Sequence, residues 1–201
     1  MKKLLIVVGL VSTLALTACG RTNVAATLGD MTITQSKVQE SIDAILAERA
    51  QVDTTNMQLR TGADLNRGQV RTFIIYAIFD NIARELKVDV TPTEIATRKA
   101  EILNQIGGQQ QLRPALVGAQ IAPQDFEAYI RASLISDKLT KGLIATGVSE
   151  TDASTQLGQL LMKKAEQLKI TINPRYGKWD GTSGDVVEAD NSLGAVNTAT
   201  R

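Results

Sequence analysis

The sequence predicts a mainly α-helical domain with a small β-hairpin or short strands joining the chain ends. Three observations lead there. Apolar residues recur every three or four positions through most of the stretch from 34 to 169, the period of a helix with one buried face. Thr91-Pro92-Thr93-Glu94 is a capping box with proline at the first helical position. Gly29-Asp30 stands between two short β-prone runs, as a two-residue hairpin turn does.

Taken in order, Val24-Ala25-Ala26-Thr27-Leu28 and Met31-Thr32-Ile33 form the arms of that hairpin. Thr34 can cap a helix running to about Ala50, with Val38, Ile42, Ile45 and Leu46 on one face. Residues 51–62 are polar and read as a loop. From Asp64 to Lys87 (64–87) the widest apolar face of the chain, Val70, Ile74, Ile75, Ile78, Phe79, Ile82 and Leu86, predicts the core helix. The capping box at Thr91 opens a helix carrying Ile95, Ile102, Leu103 and Ile106, which Gly107-Gly108 stops. A short helix is expected around Pro114, and another from Pro123 to about Ile144 with Phe126, Ile130, Leu134, Ile135 and Leu139 along one side. Ser149 caps the last, with Glu150 and Asp152 favourably placed in its first turn and Leu157, Leu160, Leu161 and Leu168 turned inward. Ile170-Thr171-Ile172 suits a strand, and the tail from Asp180 onward (180–201), polar and small, is expected to be flexible.

The amino terminus has a different purpose. Lys2 and Lys3 precede an apolar stretch at 4–16, and Leu16-Thr17-Ala18-Cys19 closes it, so residues 1–18 read as a signal peptide. The apolar core is shorter than the ~20 residues a spanning helix needs. Leu-Thr-Ala-Cys resembles the lipobox of bacterial lipoproteins, and that resemblance implies a mature chain beginning at Cys19. Its sulfur would carry long-chain acyl groups such as palmitate, and residues 19–23 would form a brief tether. An ordinary secretory leader is the alternative, but it would leave one unpaired thiol in an oxidising compartment.

Composition excludes several classes of chemistry. The chain has no histidine, and its one cysteine is assigned to lipid. That removes Ser-His-Asp and Cys-His triads and histidine- or cysteine-based metal sites. The 22 basic and 21 acidic side chains nearly balance, and losing Lys2 and Lys3 with the leader tips the folded part slightly acidic, so nothing draws it to nucleic acid. Asp80, Glu85, Glu94, Glu101, Asp125 and Glu127 are scattered over predicted helices and read as solvated faces. Gly107-Gly108 lacks the Lys-Ser/Thr of a phosphate loop. No metal, cofactor or enzymatic activity is expected, although a carboxylate or lysine enzyme stays formally open.

The order of these pieces resembles the SurA and PrsA group of extracytoplasmic folding factors, in their amino-terminal chaperone domain. Leu28-Gly29-Asp30-Met31-Thr32-Ile33-Thr34 is similar to the group's opening before its first helix. Lys87-Val88-Asp89-Val90-Thr91 resembles the junction after its long helix, with lysine where glycine is usual. Gln120-Ile121-Ala122-Pro123-Gln124-Asp125-Phe126 and Ile130-Arg131-Ala132-Ser133-Leu134-Ile135-Ser136-Asp137-Lys138-Leu139 look like the start and body of the penultimate helix. Asn173-Pro174-Arg175-Tyr176-Gly177-Lys178-Trp179 resembles the closing segment of SurA-like lipoproteins of Actinobacteria. The resemblance spans residues 24–179. Only residues 145–148 separate the last two helices, where enzymatic members insert a parvulin module, so prolyl isomerase activity is not implied.

The resemblance implies a membrane-anchored holdase on the extracytoplasmic side, whose partners are unfolded or newly exported polypeptides and the membrane itself through Cys19. An assembly lipoprotein with one dedicated envelope partner is the alternative. Apolar residues in excess of one helical face, Ile75, Phe79, Tyr129 and Met162, are the candidates for client contact, each open also to plain core packing. Oligomeric state and client identity leave no mark in the sequence.

Overall fold

The computed structural model describes residues 23–189. Cys19, the leader and residues 190–201 lie outside the described residues. Strands β1 (Val24–Leu28) and β2 (Met31–Thr34) form the expected hairpin. Of its two turn residues only Gly29 is left-handed, at φ 60°, the position that a type II′ turn reserves for glycine. Helix α1 (Gln35–Arg49) follows at once, and the Thr34 hydroxyl accepts from the Lys37 amide.

Helix α2 (Gly62–Leu86) is the axis of the fold. Leu65, Val70, Phe73, Ile74, Ile78, Phe79, Ile82 and Ala83 are all buried along it. It packs against α1, β1, β2, α5 (Phe126–Ala145) and α6 (Glu150–Gln167). Helix α3 (Pro92–Gln105) begins on the complete capping box: Thr91 Oγ1 accepts from the Glu94 amide, and Glu94 Oε2 accepts from the Thr91 amide at 2.8 Å. The Lys138 ammonium, 2.6 Å from Glu94 Oε1, then the Thr91 amide and the Thr91 hydroxyl, which also donates to Glu94 Oε2 at 3.0 Å, hold the Glu94 carboxyl down to about 2. No residue of α3 is fully buried, so its apolar stripe, Ile95 and Ile102 included, packs on the core from outside. Helix α4 (Leu112–Ala119) carries Pro114 in its first turn, where a missing N–H costs nothing.

Helix α2 ends on Lys87 at φ 55° and ψ 37°, the left-handed cap that glycine fills at least cost. The sequence departs from the usual glycine at this very position. Lys87→Gly is therefore expected to stabilise the domain by about 0.5–1 kcal/mol, a gain readable as a higher urea midpoint at unchanged slope.

Two expectations are corrected here. Asp125 is half-buried and accepts from the Ser41 hydroxyl at 2.7 Å, so it is no solvated-face acid. Ser41 and Gln69 are both buried, and Gln69 Nε2 donates to the Gln120 carbonyl at 2.9 Å, a polar seam tying α1 and α2 to the segment before α5. The expectation of a flexible tail from Asp180 onward is corrected for residues 180–189. Strand β3 (Thr171–Ile172) adds to β1, giving a sheet of order β2-β1-β3 that brings the two ends of the domain together. Then β4 (Lys178–Asp180) pairs with β5 (Asp185–Val187) in a second hairpin. Val186 is buried in the main core, and Arg71 Nε donates to the Gly184 carbonyl at 3.0 Å. Residues 180–189 are thus structured, because a single buried valine and cross-links to α2 offset an otherwise polar sequence.

Candidate functional site

A groove of about 470 Å³ opens between β2, α1, α2 and α5. Its walls are Met31, Thr32 and Ile33 of β2, Phe73, Tyr76 and Ala77 of α2, and Ala128 of α5. Tyr76 meets Phe73 edge to face, with ring centroids 6.4 Å apart, and Lys37 Nζ lies 4.8 Å from the centre of the Phe73 ring. The rim is charged. Arg131 Nε donates to Asp80 Oδ1 at 2.9 Å, and Arg84 Nη2 donates to Met31 Sδ at 3.4 Å. Burial, then the negative charge of Asp125, pushes the Tyr76 phenol far above its usual range, so it stays neutral and can offer a hydrogen bond.

Phe73, 4% exposed, belongs to the core and floors the groove, and Ala77, Asp80 and Arg84 follow it along α2 at i+4, i+7 and i+11. Small Ala77 and Ala128 leave the space that larger side chains would fill. Other depressions lie elsewhere on the described surface, two of them of comparable or larger size. One, of about 670 Å³, lies between residues 48–53 and α4, and another of about 510 Å³ separates α6 from the second hairpin. The first is walled largely by Glu48, Gln51, Asp53, Gln109, Gln110 and Arg113 and offers fewer apolar and no aromatic surfaces.

The sequence-chosen contact residues do not converge. Phe79 is 8% exposed and belongs to the core, and Ile75 is half-buried against it. Tyr129 is 39% exposed and stacks on Phe126, with ring centres 6.3 Å apart. Met162 lines the cleft beside Trp179, on α6. Arg175 is exposed, with Nη1 donating to Gln35 Oε1 at 2.7 Å and its guanidinium 5.3 Å from the centre of the buried Tyr176 ring. The groove residues Phe73, Tyr76 and Ala77 lie among Ile-rich neighbours that dominate the apolar count of α2, and the small size of Ala77 is the only mark of a space there in the sequence.

The acids do not gather either. Asp80 pairs with Arg131, Glu94 with Lys138, Glu101 with Arg98 and Glu85 with Lys164. Among the described residues no group of three or more acids or cysteines could hold a metal ion, and no helix is long and apolar enough to cross a membrane.

Residues 3–140 match the family model of the SurA-like N-terminal domain. The chain belongs to this family. The match takes in the β1–β2 hairpin, α1 to α4 and most of α5, and so every residue lining the groove. No curated protein and no solved structure matches the chain. Helix α6 and the second hairpin lie beyond the family match, yet Leu157, Ala165, Ile172, Tyr176 and Val186 extend the same core. The SurA-like domain here is therefore completed by carboxy-terminal elements that return to its first strand.

Proposed function

We propose that this SurA-like domain is a holdase for non-native polypeptides outside the cytoplasm, tethered to the membrane by lipid on Cys19 and without prolyl isomerase or other enzymatic activity. The observation that carries the reading is the aromatic groove between β2 and α2, set wholly within the family-matched region. A shallow surface of rings, methyl groups and a thioether gains free energy from almost any apolar side chain, at about 25 cal/mol per Å² buried, and imposes little directional demand. Such a surface suits clients that share exposed apolar segments and no fixed sequence. Tethering raises the local concentration of the groove near emerging chains. The tether is short: the four residues after Cys19 span at most ~14 Å, so Asn23 and the start of β1 stay close to the bilayer.

Dilution of chemically denatured citrate synthase into increasing amounts of the protein tests the reading. Light scattering is expected to fall with concentration and to vanish at a few-fold excess. Undiminished scattering at tenfold excess would rule out holdase activity and leave the assembly role, with one dedicated partner, as the better account.

A further inference from the structure

The main-chain register of the first sheet leaves one edge open beside the groove. Ala25, Thr27 and Gly29 turn their polar backbone toward the β3 side: Asn173 N donates to Ala25 O at 2.8 Å, and Gly29 N donates to Leu168 O at 2.7 Å. Because backbone groups alternate along a strand, Ala26 and Leu28 face β2, where their partners are Ile33 and Met31. The amide and carbonyl of Thr32 consequently point away from β1. Strand β2 is the sheet's edge, Thr32 is exposed, and among the described residues no other element hydrogen-bonds with the Thr32 amide or carbonyl. Met31, Thr32 and Ile33 are at the same time one wall of the groove.

An unpaired strand edge is a template for another extended chain. We infer that clients bind by adding a short strand to β2 at Thr32, dropping alternate side chains into the space between Phe73, Tyr76, Ala77 and Ala128. The inference rests on the holdase reading and specifies its binding mode. Charge selects among extended segments: Lys37, Arg84 and Arg131 surround the groove against Asp80 alone, so the rim is net basic and favours segments that flank apolar residues with acidic ones. Main-chain pairing explains how one site accepts many sequences, and the shortness of the edge keeps each complex reversible.

Residue-resolved hydrogen exchange of the full chain, with and without reduced carboxymethylated α-lactalbumin as a permanently unfolded acidic client, tests the mode. The Thr32 amide is expected to exchange freely alone and at least tenfold more slowly when the client is bound. Thr32→Pro, which removes that N–H, is expected to weaken binding at least tenfold while Thr32→Val leaves it intact. Should Thr32→Pro fail to fold, exchange in the unaltered protein decides. Client binding with unchanged Thr32 exchange would overturn strand addition and leave the holdase standing. Absence of any binding would overturn both. Protection that grows with protein concentration in the absence of client would assign the edge to a second copy of this chain instead.

Discussion

A Cys19→Ser protein is expected to leave the membrane fraction almost completely. The apolar stretch at 4–16 is too short to remain as a spanning anchor, and no helix among the described residues can replace it. Stable attachment needs more than one acyl chain, since each buried CH₂ contributes only ~0.8 kcal/mol and a single myristoyl chain binds weakly and reversibly. The diacylation proposed for Cys19 would meet that requirement, and serine would remove both chains together. Fractionation with a carbonate wash, alongside intact mass of the mature form, reads the outcome: the unaltered chain should begin at residue 19 with a mass increment for lipid. A serine variant that stays membrane-bound through the wash would place the anchor elsewhere.

Ile78→Ala is expected to destabilise the domain by about 3–4 kcal/mol, a large share of the 5–15 kcal/mol that folded domains command. Ile78 is 1% exposed and sits mid-way along α2, the helix that contacts both hairpins and three other helices, so the cavity left by truncation has no mobile neighbour to fill it. Phe79→Ala should behave in the same way, because at 8% exposure Phe79 is a core residue. Tyr129→Ala, removing a 39% exposed ring, should cost less than about 1.5 kcal/mol. Urea unfolding of the three variants measures the order directly. Equal, small losses for Ile78 and Tyr129 would mean that α2 is not the axis of the core.

Most of this architecture was legible because local signals and tertiary packing agree. The Gly29 turn, the Thr34 and Ser149 caps and the Thr91 capping box all occur where the residue types demanded them. Each is a local device, set by a hydroxyl or a glycine within four residues of the backbone it serves. The second hairpin was not legible, since Asp180-Gly181-Thr182-Ser183-Gly184 looks like any polar tail and its order comes from Val186 and the Arg71 contact, more than 100 residues away in sequence. Asp125 was misread for the same reason: its partner Ser41 lies on α1, and no spacing rule connects them. The groove illustrates the limit for function. Periodicity identifies which α2 residues are apolar, but whether a ring lines a cleft or fills a core depends on the size of residues opposite it, and Ala128 belongs to another helix. Lys87 stands in the left-handed cap of α2, a conformation that its side chain does not announce in the sequence.

The central claim is that the β2–α2 groove holds many non-native chains at the membrane. The most direct test places a photo-crosslinking residue at Ala77 inside the groove and, as a control, at exposed Gln167 on α6, in the native envelope, and identifies the adducts by mass spectrometry. The account predicts a broad set of exported proteins captured at position 77 through extended segments, and few or none at position 167. One dominant partner at position 77, or equal capture at both positions, would contradict it.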